Sequence, residues 1–172
     1  MLKKRNLMPE LLPTLKDLTV QSTVGGQLGK VVNCRVLSLL AQPSLVVNHQ
    51  LKRILAEDDQ PVLQLDEGDL RLTPVDFANQ VSRQFANALA GVSAAAVARL
   101  VVIYAPSWAA ECRLPADAQR IRIAHRQIRD VIQILYDRDT ASHVQIIYGG
   151  FVFEDELATV LWDVNVDGVL IK

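Results

Sequence analysis

Aromatic side chains are scarce in this 172-residue chain: Phe, Trp and Tyr together make up 5% of it. A protein that grips single-stranded nucleic acid by stacking its bases needs such rings, so the scarcity argues against that class. An excess of either charge is lacking too. Lysine and arginine number 18, aspartate and glutamate 19, and the formal net charge is −1. That balance leaves no electrostatic footprint for DNA, RNA or an anionic membrane. Cysteine occurs only at Cys34 and Cys112, too few and too isolated for a disulfide framework or a zinc site. A reducing, cytoplasmic setting is expected. Long apolar runs are also missing, and none approaches the ~20 residues that a membrane helix needs. The basic opening Met1-Leu2-Lys3-Lys4-Arg5 has the charge of a signal-peptide start. Pro9, Glu10 and Pro13 interrupt the apolar stretch that would have to follow.

What is present is apolar and regularly patterned. Half of the residues are hydrophobic and 22% are charged, the balance of a globular domain. A chain of this length buries roughly 70% of the surface its unfolded form exposes. It therefore needs neither metal nor disulfide to hold a core, and no cofactor is expected.

From Ser44 onward, helical and extended patterns alternate. Leu45, Val46, Val47, Leu51, Ile54 and Leu55 form a helical stripe. Val62-Leu63-Gln64-Leu65 reads as a short buried strand. Thr73-Pro74 starts a second helix, with proline at its tolerated first position. Phe77, Val81, Phe85 and Leu89 make its apolar face, and Gly91 ends it. Leu100–Tyr104 is a nearly continuous apolar strand, as in parallel sheets. A third helix is predicted from about Pro115 to Tyr136, with Ile121, Ile128, Ile132 and Leu135 inside. Arg120, Arg122, Arg126 and Arg129 lie on its other faces, read as solvated and partly balanced by Asp117 and Asp130. Val144–Tyr148 is the next strand. A short helix over Glu154–Asp163 with acids in its first turn follows, and Val166–Ile171 is the last strand.

Buried apolar strands alternating with helices predict an α/β domain with a parallel sheet. Residues 1–43 read less cleanly. Leu11–Leu18 suits a short helix and Thr19–Val24 a strand, while Val31–Leu40 fits either a strand or a buried helix.

Several segments carry a family resemblance. Leu100-Val-Val-Ile-Tyr-Ala-Pro-Ser-Trp-Ala109 resembles the sixth strand and following loop of triosephosphate isomerases, written A-Y-E-P-V-W-A-I-G-T-G. Val144-Gln-Ile-Ile-Tyr-Gly-Gly150 resembles the seventh strand, I-x-Y-G-G-S-V, and Asp163–Leu170 the eighth, D-G-x-L-V-G-G. Val47–Glu67 is similar to the helix and fifth strand ending in C-x-G-E, with Glu67 at the Glu position. A weaker likeness links Leu15–Val20 and Gly26 to the region around the fourth strand. The resemblance implies an incomplete, truncated TIM-type β/α barrel with parallel strands. Residues 1–43 are its N-terminal segment near strand four, and residues 44–172 are its C-terminal part.

The same comparison implies lost chemistry. The family's catalytic glutamate in Y-E-P falls on Ala105, and its electrophilic histidine in G-H-S-E falls on Gln27, with Gly29 at the following Glu. The lysine of N-W-K has no counterpart. Removing a general base alone costs ~10²–10⁴ in rate. A pseudoenzyme without catalytic residues is expected, with a binding, regulatory or interaction role. The alternative is a residual isomerase or another sugar-phosphate enzyme. The phosphate loops are altered as well. Glu111-Cys112-Arg113 stands in the region of G-T-G, Phe151 replaces the Ser after Y-G-G, and Lys172 stands where the final G-G would be. Gly149-Gly150 remains, read as a tight turn in preference to a phosphate clamp. Tyr148, Gly149, Gly150 and Trp108 are the candidate ligand-binding residues, with a phosphorylated small molecule as the candidate ligand.

No metal site is expected at His49, His125 or His143, which stand alone and suit solvated or packed roles. Cys112 beside Arg113 is read as incidental before reactive. Glu111 is a poor replacement for the base, six residues past Ala105 in another stretch of backbone. Trp108 and Trp162 are expected to pack. A closed eight-stranded barrel takes ~250 residues, so an open sheet with two unpaired edges is predicted here. Three devices would cover them: a second copy in a homo-oligomer, which is preferred, a protein partner, or residues 1–43 folding over the gap.

Overall fold

Six strands close into a barrel in the computed structural model, which describes residues 15–22 and 28–171 apart from positions 41, 70, 113, 115 and 154. The elements run β1 (Leu15–Ser22), β2 (Leu28–Ser38), α1 (Ser44–Ala56), β3 (Gln60–Leu65) and α2 (Pro74–Ala88). They continue with α3 (Ala94–Val97), β4 (Val101–Tyr104), α4 (Ser107–Cys112), α5 (Ala118–Leu135) and α6 (Arg138–His143). The last are β5 (Gln145–Tyr148), α7 (Leu157–Leu161) and β6 (Gly168–Ile171). Strands β2 to β6 pair in chain order and all parallel, which is the predicted partial TIM-type barrel.

The expected open edges are absent. β1 pairs antiparallel with β2 on one side and with β6 on the other. It fills the gap that five parallel strands leave and satisfies both ladders. Of the three covering devices, the N-terminal segment is the one the backbone uses. The expected helix at Leu11–Leu18 is accordingly corrected over its described part: Leu15–Leu18 is extended within β1. The open reading at Val31–Leu40 resolves as strand β2. Gln27 and the Gly25-Gly26 pair lie outside the described residues.

The alternation of side chains along each strand divides the core in two. Inward-facing Cys34, Val62, Val101, Ile103 and Ile147 fill the barrel, with Leu18, Val36, Ala105 and Leu170 packed against them. Outward-facing Leu63, Leu65, Val102, Tyr104, Ile146, Tyr148 and Val169 pack with the helices. Along α2, Phe77, Val81 and Phe85 are buried at helical spacing. The Thr73 hydroxyl accepts the Asp76 N–H at its start, and Gly91 takes a positive φ of 70° just beyond its end.

Some boundaries shift. α5 starts after Asp117 rather than near Pro115, and Leu135 in its last turn is 39% exposed. Leu45 is exposed at the first turn of α1 instead of joining the buried stripe. α7 spans only Leu157–Leu161, so Asp155 and Glu156 precede it and no acid lies in its first turn. No helix among the described residues is long and apolar enough to cross a membrane.

Candidate functional site at the barrel mouth

The carboxyl ends of β3, β4 and β5 open on a cavity of about 260 Å³, lined by Gln64, Asp66, Ala105, Pro106, Ser107, Glu111, Gly149 and Gly150. Asp66 directly follows β3. Its Oδ1 accepts the N–H groups of Gly68 and Ser107, both at 2.9 Å. One carboxylate thus turns the chain out of the strand and anchors the start of α4. Ala105 follows β4 and presents a methyl group to the cavity, so nothing at this position exchanges a proton.

Gly149 and Gly150 line the mouth for steric reasons. A Cβ on Gly149 would lie 2.6 Å from Ile103 Cγ2, and one on Gly150 would lie 2.3 Å from the Tyr148 hydroxyl. The Gly149 N–H donates to Tyr104 O at 2.8 Å, which commits it to the β4–β5 junction. The Tyr148 hydroxyl donates to Phe151 O at 3.0 Å, and the side chain is fully buried. Burial pushes its phenol up to about 12. Of the four candidate ligand-binding residues, Gly149 and Gly150 border the cavity. Tyr148 and Trp108 lie in the helix-facing core.

Trp108 belongs to a cluster centred on Glu67. That carboxylate is only 5% exposed. It accepts the Tyr104 hydroxyl at 2.8 Å, the Trp108 indole N–H at 3.1 Å, Arg120 Nε at 3.2 Å and Arg120 Nη2. The Arg120 guanidinium also lies 5.3 Å from the Trp108 ring centroid. Its hydrogen bond to Glu67 leads the causes that hold it above the ordinary arginine range. Burial first, then the Glu67 charge, raises the Tyr104 phenol. The cluster ties β3, β4, α4 and α5 together beside the mouth.

The arginine face of α5 is therefore corrected. Arg120 meets Glu67, Arg122 meets Asp163 at 3.7 Å, and Arg129 meets Asp167 at 2.7 Å. Only Arg126 keeps the solvated role, facing Asp130 at 3.9 Å. His125, among them, is fully buried. Its Nδ1 lies 3.3 Å from Asn165 O, its ring stands edge-on to Tyr104, and its Nε2 has no partner among the described residues. Burial pushes its imidazole down to about 4, so it is a neutral packed group at neutral pH. His143 is exposed, with Nδ1 2.8 Å from Asp139 O. Among the described residues, no group of three or more His, Cys, Asp or Glu side chains is placed to hold a metal. Cys112 is exposed and Cys34 buried. Trp162, expected to pack, is 86% exposed, because α7 ends one residue before it and leaves its ring outside the α5–α7 contact.

Comparison with known proteins agrees with this architecture. The family model of triosephosphate isomerase matches residues 38–172. A triosephosphate isomerase of Roseiflexus sp. (strain RS-1) is 30% identical over 129 residues, covering 73% of this chain and 50% of that protein. One from Cutibacterium acnes is 31% identical over 127 residues, covering 73% and 49%. One from Onion yellows phytoplasma is 28% identical over 151 residues, covering 86% and 48%. The chain thus spans about half the length of the curated relatives it matches.

Proposed function

The chain belongs to the triosephosphate isomerase family, and from that premise we propose that it is a binding or interaction member without isomerase activity. The observation that carries this reading is Ala105. It lies between Tyr104 and Pro106 at the carboxyl end of β4 and faces the mouth, where the family resemblance implies a glutamate base. A methyl group moves no proton, and a missing general base alone costs ~10²–10⁴ in rate. The state of Gly149 adds support. With its N–H committed to Tyr104 O, it offers a phosphate less than a free glycine loop would, so a phosphorylated small molecule is at most a weakly held ligand.

The reading is tested by a coupled assay with glyceraldehyde 3-phosphate. The expected result is no turnover above a mock preparation, and turnover above it would overturn the loss of isomerase activity. The alternative, an enzyme of the same scaffold, draws on Asp66 and Glu111, whose carboxylates share the cavity with Ala105. Turnover that disappears in a paired Asp66→Asn, Glu111→Gln variant would establish it. Association with a second copy or a protein partner belongs to the proposal, as does a cytoplasmic setting. With the sheet edges closed by β1, association now rests on exposed apolar side chains such as Ile134, Trp162 and Val164. Light scattering that returns a concentration-independent monomer would remove self-association.

A further inference from the structure

The barrel mouth combines an acidic cavity with an apolar rim. Asp66 and Glu111 line the cavity, and no lysine, arginine or histidine does so among the described residues. Neither carboxylate forms an ion pair among those residues. Asp66 Oδ1 is taken by two backbone N–H groups, while its Oδ2 accepts no hydrogen bond among the described residues. The rim is made by Leu40, Leu114 and Phe153, which are 52%, 54% and 47% exposed. They follow β2, α4 and β5, so their loops belong to the end of the barrel where the parallel strands finish. Each stands next to a residue of the mouth. Leu40 Cδ2 is 4.0 Å from where a Cβ on Gly68 would lie, just past Asp66. Leu114 comes shortly after Glu111, and Phe153 shortly after Gly150. The Phe153 ring stands edge-on to Phe151, with centroids 5.2 Å apart.

We propose that the mouth docks a partner protein through an arginine that the partner carries between apolar residues. The inference rests on reading the chain as an interaction member, and it names the kind of partner. The guanidinium enters the cavity and bonds Asp66 Oδ2 in the field of Glu111. The flanking residues cover Leu40, Leu114 and Phe153 and remove them from water. The cavity of about 260 Å³ holds about eight water-sized groups, and an arginine side chain brings about seven non-hydrogen atoms. An arginine anchor inside a ring that excludes water is a frequent centre of binding energy at interfaces. A second copy fits this face poorly. A two-fold contact through the mouth sets Asp66 and Glu111 of one copy against the same carboxylates of the other.

Isothermal titration calorimetry of the whole chain with the peptide acetyl-Leu-Arg-Leu-amide tests the proposal. Saturable binding with a sub-millimolar Kd is expected. Glutamate in place of the arginine should weaken it at least about tenfold, the worth of one charge-assisted hydrogen bond. Asp66→Asn keeps an Oδ1 for the Gly68 and Ser107 N–H groups but removes the charge. It should weaken the arginine peptide about tenfold and change acetyl-Leu-Gln-Leu-amide little. If Asp66→Asn does not fold, Glu111→Gln, at an exposed position, serves with the same contrast. A paired Leu40→Ser, Leu114→Ser variant should bring the peptide toward the affinity of acetylarginine amide. No saturation, equal binding of the glutamate peptide, or an unchanged Kd in the folded charge variant overturns the proposal. The coupled isomerase assay on the same preparation separates the two readings. Turnover there strikes the reading on which this one rests, whereas a silent assay without peptide binding strikes this one alone.

Discussion

Replacing Glu67 by leucine tests how much of the molecule hangs on one carboxylate. The substitution keeps a side chain of similar size but strips the acceptor from three partners. The Tyr104 hydroxyl and the Trp108 indole N–H are left without it in a buried setting. Each buried donor without a partner costs ~1–3 kcal/mol. Arg120 is 28% exposed, so it rehydrates in part and adds only ~1 kcal/mol. The apolar leucine recovers some of the total, because a well-packed hydrophobe avoids the cost of burying a charge. The net expectation is a loss of about 3–4 kcal/mol, which for a domain of this size lowers the melting temperature by roughly 6–16 °C. Urea denaturation followed by circular dichroism measures it. Tyr104→Phe supplies the decisive control. In the native background it removes a satisfied hydroxyl and costs ~1 kcal/mol. In the Glu67→Leu background it removes an orphaned hydroxyl and should be neutral or stabilising. A Glu67→Leu loss under ~1 kcal/mol, or the same Tyr104→Phe cost in both backgrounds, would refute the reasoning.

Other consequences are as direct. His125 titrates near 4 when folded against 6.5 in an ordinary peptide, so the unfolded chain takes up the proton first as pH falls. The stability owed to neutral His125 is complete above about pH 6.5 and drains away down to about pH 4. The separation is worth about 3 kcal/mol; urea midpoints across this range should fall less steeply for His125→Gln, and parallel curves would contradict the assignment. Gly149→Ala forces a Cβ to within 2.6 Å of Ile103 Cγ2 and should cost ~1–3 kcal/mol by overpacking, read as a lowered melting temperature; an unchanged one would show that the strands part freely. Trp162→Ser should alter monomer stability by less than ~0.5 kcal/mol, given its 86% exposure, and a larger loss at high dilution would mean the ring is packed.

Much of this fold is legible in the residues. The apolar runs of β3, β4 and β5, the Thr73-Pro74 start of α2 and its Phe77-Val81-Phe85 face each state their own conformation. Ala105 and its neighbours mark the mouth. Other features depend on partners that no local pattern names. The direction of β1 is one, since alternation is the same in parallel and antiparallel strands and its partner β6 lies far along the chain. The α5 arginines are another. Arg120 finds Glu67 across 53 positions and Arg129 finds Asp167 across 38, so a row that looks solvated is largely engaged in part-buried bonds to distant carboxylates. The helices α3, α4 and α6, of four to six residues, are shorter than the window in which a helical period shows itself.

The two seams of β1 differ in how the chain reaches them. With β2 it forms a hairpin across a short connection, whereas with β6 it joins residues about 150 positions apart. Loop-closure entropy grows with that span, and pairings of high sequence separation are the slow ones. The parallel crossovers from β3 to β5, which carry the mouth residues, close over much shorter spans. Assembly of the mouth can therefore precede the shutting of the ring, and the β1–β6 seam is the place where folding finishes last and hydrogen exchange is expected to open first.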